Sequence, residues 1–360
     1  MKLTNLKKCN MLLAVLFFAG TLALNAQWTP QKTALPQDIQ GVYAFSAVDV
    51  NTVWAIPYSY AACNKLVKTT DGGKTWNIVT VTGGEGLAFA GIHALDENNI
   101  WVAMWPSGLS TDSAIFYSSD GGETWVQQET AFCKTCGYIS FVYFFNEKDG
   151  VAVGDPNGGQ FEIYYTQDGG EKWVATSGKR IPMPGMVETP VASNFEVFDN
   201  TIWFGTTEGR VFRSTDKGIT WETSETLWPE TTVSVAFQDK DTGLALSGKK
   251  PGLMKTTDGG VTWQAMEAAP PISGLIEFVP GSIDSYVIAG SGKEGAGEGS
   301  AYTLDGGKTW VMVDEIPHNS AVFITPEVGF IGSGTTKLYK WTGKVLEETP
   351  STDDGKKVIN

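Results

Sequence analysis

Runs of four to eight apolar residues, rich in β-branched and aromatic side chains, recur along the whole chain and are each closed off by Gly, Asp, Asn or Pro. Seven of them read GVYAFSAV, GIHALD, ISFVYFF, SNFEVF, TVSVAF, GLIEFV and SAVFIT. Each leads through a short turn to a second run, in order TVWAI, NIWVAM, GVAVG, TIWFG, GLALSG, SYVIAG and VGFIG. No helical period is sustained for the length of a helix, so the pattern predicts short strands and an all-β fold.

A third strand then runs into an octet that repeats along the chain. TTDGGKTW at 69–76 is followed by SSDGGETW, TQDGGEKW, STDKGITW, TTDGGVTW and TLDGGKTW. The aspartates fall at 71, 120, 168, 216, 258 and 305, a period of about forty-seven residues that signals propeller blades. Four antiparallel strands per unit predict a blade, because one small twisted sheet buries both faces only when neighbours stack around a closed ring. Counting first strands predicts a seven-bladed β-propeller of four-stranded antiparallel blades over residues 27–349, with six blades as the alternative if the last unit is irregular. The seventh unit has lost the octet, and QWTPQKTA, from Gln27, resembles the strand that follows the octet elsewhere, which predicts that the N-terminal segment closes the ring.

Within the octet, Asp71, Asp120, Asp168, Asp216, Asp258 and Asp305 each precede by two residues a glycine kept in every copy, namely Gly73, Gly122, Gly170, Gly218, Gly260 and Gly307. That glycine points to a positive φ, and the aspartate before it to a carboxylate accepting backbone N–H bonds across the turn. Trp76, Trp125, Trp173, Trp221, Trp263 and Trp310 close the octets. Burying an indole removes on the order of 200 Å² from water, worth up to ~5 kcal/mol, against about 1 kcal/mol for each turn bond. A catalytic residue is needed once per site, whereas this arrangement occurs once per blade. The octets are therefore expected to hold structure.

These octets match the Asp-box, or BNR, pattern, and the chain resembles Asp-box propellers. Those include sialidases, xyloglucan-degrading hydrolases, sortilin-type receptors and the factors that assist photosystem II assembly and stability. GVAVGDP followed by FEIYYTQDGGEKW is most similar to the last group, and to its exported relatives in non-photosynthetic bacteria. The resemblance implies a non-catalytic, seven-bladed binding propeller. The photosystem factors use an arginine-rich patch, whereas this chain holds only Arg180, Arg210 and Arg213, so it is expected to be similar in fold without a photosystem role.

Residues 1–26 read as a cleaved signal peptide. Lys2, Lys7 and Lys8 precede MLLAVLFFAGTLAL and a cut after Ala26, and that apolar run is shorter than the roughly 20 residues of a membrane span. An exported protein, periplasmic or secreted and without a transmembrane anchor, is expected, ending in a polar tail at 350–360. Losing three lysines takes the formal charge from −14 to −17, which disfavours nucleic acid.

The enzyme alternative is a sialidase-like glycoside hydrolase acting on extracellular glycans. GKRIP at 178–182 is similar to that family's arginine motif, but three guanidiniums must converge on one carboxylate there. Arg210 and Arg213, three apart on one strand, should face opposite ways. Other carboxylates that could flank a glycosidic bond are Asp112, Asp155, Glu188 and Glu230. Cys133 and Cys136 are spaced for a disulfide within their loop, with Cys63 left over or exchanged as partner. One CxxC and two distant histidines, His93 and His318, make no metal site, and no cofactor motif survives inspection: the Gly-Lys-Thr octets lack the upstream glycine of a phosphate loop, and no helix follows GSGKEGAGEG. Binding is expected on the face opposite the Asp-boxes, where Tyr58, Tyr60, Trp105 and Trp228 form an aromatic set and Lys179 and Arg180 could meet an anion. The expected ligand is an envelope or secreted protein, or a polysaccharide.

Overall fold

The computed structural model describes residues 27–33, 41–59, 61–107, 112–128, 131–132, 138–292, 297–334 and 337–346. The proposed signal peptide, the polar tail, Tyr60 and the Cys133–Cys136 pair lie outside the described residues. The described chain forms seven four-stranded antiparallel sheets, so the seven-blade count holds and the six-blade alternative does not.

Blade one comprises β2 (Gly41–Ala47), β3 (Val53–Tyr58), β4 (Lys65–Thr69) and β5 (Asn77–Thr80). Blade two follows with β6 (Leu87–Ala94), β7 (Ile100–Pro106), β8 (Ala114–Ser118) and β9 (Val126–Gln128), and blade three with β10 (Ile139–Phe144), β11 (Gly150–Asn157), β12 (Gln160–Thr166) and β13 (Val174–Ala175). Blade four is β14 (Pro190–Phe198), β15 (Thr201–Thr206), β16 (Arg210–Ser214) and β17 (Glu222–Glu225). Blade five is β18 (Val233–Phe237), β19 (Gly243–Ser247), β20 (Leu253–Thr256) and β21 (Gln264–Ala265), and blade six is β22 (Leu275–Phe278), β23 (Tyr286–Ser291), β24 (Glu298–Thr303) and β25 (Val311–Asp314). The seventh takes β26 (His318–Thr325), β27 (Val328–Ser333) and β28 (Leu338–Trp341) from the end of the chain and β1 (Trp28–Pro30) from its start.

That last sheet closes the ring, as the sequence of the N-terminal segment suggests. Trp28 pairs with Trp341 and Pro30 with Tyr339, on the outer edge of β28. The Trp28 indole packs edge-on to Trp341 at 4.9 Å, and its Nε1 donates to Ser300 Oγ of blade six at 2.8 Å. One short strand thus ties the first residues of the domain to both blades six and seven.

The core is divided among the wedges between blades. Trp54 and Ile56 of blade one pack with Ile92, Val102 and Phe116 of blade two. Phe141 and Ile163 meet Phe204 and Trp221 across the third and fourth blades, and Phe330 and Leu338 meet Val53 and Val67 across the seventh and first. No single sheet could bury these side chains alone, which is why the fold must close.

The Asp-boxes sit in the hairpins between third and fourth strands. In the first box Asp71 Oδ1 accepts from the Thr75 N–H at 2.9 Å and from Thr69 Oγ1 at 2.9 Å, while Oδ2 accepts from Thr75 Oγ1 at 2.7 Å. Thr69 Oγ1 also accepts from the Gly73 N–H at 2.8 Å. Gly73 has a φ of 88°, and a Cβ there would lie 2.8 Å from the Phe330 ring of blade seven, so only glycine fits. Where the fourth box replaces the preceding glycine, Lys217 takes a φ of 62° and offsets the strain with an ion pair to Asp149 in blade three. Trp76, Trp125, Trp173 and Trp221 are buried, and Trp263 and Trp310 half-buried.

Two predictions follow from these joints. Trp28→Ala should cost about 3–5 kcal/mol, read by urea denaturation, because it empties a buried aromatic cluster and strips the seal strand of its anchor. The turn bonds, led by those from Thr75, Thr124 and Thr262, hold Asp71, Asp120 and Asp258 at about 2. A depressed carboxylate stabilises the fold above its ordinary pKa and loses that contribution as protons bind, so the melting temperature should fall between about pH 4 and 2. Combining Asp71→Asn, Asp120→Asn and Asp258→Asn should lower the plateau and flatten that slope.

Candidate functional site

The loops joining second to third strands, and each blade to the next, open on the face away from the Asp-boxes. There the ends of several first strands surround a cavity of about 410 Å³ at the mouth of the central channel. Tyr43 of β2 and Tyr58 of β3 stand on one side, with ring centroids 5.6 Å apart and 32° between planes. Val191, Ser273, Leu275, His318 and Asn319 supply other walls from blades four, six and seven. Burial pushes the Tyr43 hydroxyl up to about 12, a bond with Ser193 works against this, and the Asp155 charge adds to it. Asp155 itself, half-buried at the end of β11, is raised to about 6 by desolvation, with Ser140 opposing and Glu162 reinforcing the shift.

Two buried polar groups of this mouth have no hydrogen-bond partner among the described residues, Ser273 Oγ and His318 Nδ1. His318 is buried, and its Nε2–H donates to both carboxylate oxygens of Asp314, at 3.0 and 3.2 Å. The ring is thereby fixed with Nδ1 left over for a partner. Unsatisfied buried groups cost about 1–3 kcal/mol each, so a ligand that reaches them gains more than a surface contact would.

Below the mouth, strand register places Ser46, His93, Tyr143, Glu196, Ala236, Glu277 and Val322 at equivalent positions of the seven first strands. The His93 and Tyr143 rings lie 4.2 Å apart. Burial holds His93 down at about 4, so it is neutral near pH 7, and lifts Tyr143 to about 12, helped by the Glu196 charge. Glu196 is raised by burial, against bonds from the Val197 and Phe237 N–H groups. Glu277 is raised further, by burial and by repulsion from Glu196.

Among the described residues proposed from sequence for binding, Tyr58 alone lines the mouth cavity. Trp105 is half-buried against blade three, its Nε1 donating to the Phe89 carbonyl and its ring edge-on to Tyr138. Trp228 is half-buried in the wedge between blades four and five. Lys179 and Arg180 are exposed in a 3₁₀ turn, Gly178–Arg180, between β13 and β14. Sequence reasoning missed Tyr43, Ser273, His318 and the Glu196/Glu277 pair. A tyrosine or glutamate where other first strands carry small or apolar side chains was the available signal.

The arginines do not converge. Arg210 makes a two-pronged ion pair with Glu188, and Arg213, on the same strand as Arg210, pairs with Glu222 of β17, so the two do point apart. Burial pushes the Glu188 carboxyl up, but bonds from Arg210, Thr206 and the Gly185 N–H more than reverse this and hold it below its usual range. Among the described residues no three His, Cys, Asp or Glu side chains gather as a metal site would require. Asp112 is half-buried and Glu230 exposed. Cys63 is also half-buried, with Sγ 3.5 Å from the Lys65 carbonyl oxygen.

A family model described as DUF6242 beta propeller domain matches residues 152–341, more than half of the 360-residue chain, and a BNR/Asp-box repeat model matches 116–127. A search of curated proteins returned no match. Among solved structures, one described as "YCF48 bound to D1 peptide" is similar with a TM-score of 0.63 and 17% identity, covering 88% of this chain and 97% of that one. YCF48 from Cyanidioschyzon merolae follows at TM-score 0.40 and 16% identity, covering 88% and 99%. The GH74 enzyme of Niastella koreensis has a TM-score of 0.34 and 13% identity, covering 84% and 72%. The expected resemblance to Asp-box propellers of the photosystem II assembly-factor kind is thus met. The fold is shared with a protein described as bound to a peptide.

The Arg210–Glu188 pair gives this face a structural test. Arg210→Met should cost about 3–5 kcal/mol by leaving the Glu188 carboxylate buried without its cation, whereas Glu188→Gln with Arg210→Met together should recover part of that loss. Urea unfolding of the three variants checks the order.

Proposed function

We propose that this chain, which belongs to the DUF6242 beta propeller domain family, is an exported, non-catalytic propeller that captures a protein partner at the mouth of its central channel. The observation that carries this reading is the mouth cavity itself: a tilted Tyr43–Tyr58 pair over a concave wall in which Ser273 and His318 each keep a buried polar atom without a partner. Tyrosines supply large contact area at little entropic cost, and unfilled polar positions give the contact its specificity. YCF48, a propeller of the same fold, is described as holding a peptide.

The dispersal of the arginines supports binding over sialidase-type chemistry. A substrate carboxylate would need guanidiniums that are here committed to Glu188 and Glu222. Export rests on the basic, then apolar, then small-residue order of residues 1–26. No helix among the described residues is long and apolar enough to cross a membrane.

The test is capture from the native envelope fraction on immobilised protein. The Tyr43→Ala/Tyr58→Ala variant, confirmed folded by its melting temperature, should retain at least tenfold less of the protein that the wild type holds. Lys179→Ala/Arg180→Ala measures any anion contact at the rim. Equal retention by the tyrosine variant, or retention of polysaccharide in place of protein, would overturn the reading.

A further inference from the structure

Beneath the mouth the channel narrows to a second cavity of about 110 Å³, lined by Glu277 and Ser320 among others. Ser320 is only 6% exposed, and its Oγ has no partner among the described residues. Glu277 is half-buried there, and among the described residues no hydrogen bond offsets the burial and the Glu196 repulsion that act on it. Among the described residues, neither the mouth nor the lower cavity is lined by Lys or Arg. The neighbouring charges reinforce one sign: Asp155 acts on Tyr43 at the mouth, Glu196 acts on Tyr143 and Glu277 in the belt, and His93 is neutral near pH 7.

A carboxyl whose ionised form burial and a neighbouring charge both disfavour, beside a buried hydroxyl with no partner among the described residues, is completed by a cation that donates to both. From these two observations together we infer that the throat takes a primary ammonium group on an unbranched chain, the lysine side chain of the captured partner. The inference rests on the mouth reading for the identity of that partner. The ammonium brings three N–H donors, enough for Glu277 and Ser320 at once. Leu275 lines both cavities, and Glu277 lies two residues further along β22, about 6.6 Å at the rise of a strand. The four-carbon stem of lysine spans such a gap, with its methylenes against Leu275 and the Tyr43 and Tyr58 rings. A planar guanidinium is a poorer fit to so small a lower cavity, and two carboxylates without a third ligand are a poor cage for a metal ion.

The test needs no partner. Calorimetry at pH 7.5 and low salt compares pentylamine with the isosteric neutral pentanol, and with glucosamine. Pentylamine should bind at least tenfold more tightly than pentanol. Glu277→Gln should remove that advantage while leaving pentanol unchanged, and Ser320→Ala should weaken the amine about threefold. Because an amide carries no charge for Glu196 to repel, Glu277→Gln should melt no lower than wild type, and Glu196→Gln, which leaves Glu277 and Ser320 in place, should keep the preference. Equal binding of amine and alcohol, amine binding indifferent to Glu277→Gln, a preference lost as fully in Glu196→Gln, or preference for glucosamine would each overturn the inference. Partner capture through the tyrosines without amine preference sinks only the throat assignment, and amine binding without protein capture sinks only the mouth reading.

Discussion

The ring depends on what the residue after each box aspartate does with its backbone. Its N–H binds back to the first hairpin of its own blade: Gly72 to Asn51, Gly121 to Asn98, Gly169 to Lys148, Lys217 to Asn200, Gly259 to Asp241 and Gly306 to Asp284. Its carbonyl, in four of these copies, points outward and accepts from the blade before it, from Lys340 to Gly72, Lys68 to Gly121, Gln128 to Gly169 and Arg213 to Gly259. Blade four makes the same connection one residue later, where Thr176 donates to Gly218. The positive φ of the turn is what turns one peptide group toward two blades at once. Asp and Thr hold that φ in place, so the octet is a joint between blades as much as a turn within one.

This placement separates the labour of the two faces. Joints and hydrophobic wedges carry the scaffold on the Asp-box side and between the sheets, as the stacked Trp203 and Phe237 rings do at 4.1 Å. The opposite loops and the inner strands are left with few structural duties, and there the blades stop resembling one another. Tyr43, Ser273 and His318 come from three different blades, and the closed ring brings them to one mouth.

Strand order, octet geometry and the closing role of the N-terminal segment could be read from the chain because each is dictated by a local pattern repeated many times. Trp28 announced its place by resembling the strands after other octets. The mouth could not be read in that way. Tyr58 stood out as an aromatic in an odd loop, whereas Tyr43 hides in a first strand whose apolar pattern it continues. Trp105 and Trp228 looked equally odd, but an indole in a loop beside a wedge finds a neighbouring blade to cover it, as Tyr138 does for Trp105. Which aromatic remains available depends on distances between blades, and the sequence carries those only through closure of the ring.

The inner belt shows how the remaining freedom is used. In several blades a polar side chain on the first strand satisfies an amide of the next blade: Ser46 accepts from Ala94, Asn194 from Val235 and Ser234 from Ile276. Glu196 still does this work, through the Phe237 N–H. Glu277 does not, since the shifts acting on it are burial and its neighbour's charge alone. A seven-fold scaffold would be served as well by the alanine found at the equivalent position in blade five, Ala236. A second carboxyl in a channel that already holds one has its ionised form disfavoured by burial and by its neighbour's charge. On the throat assignment proposed above, an entering ammonium offsets that, which makes this residue of the belt the most informative one about the ligand.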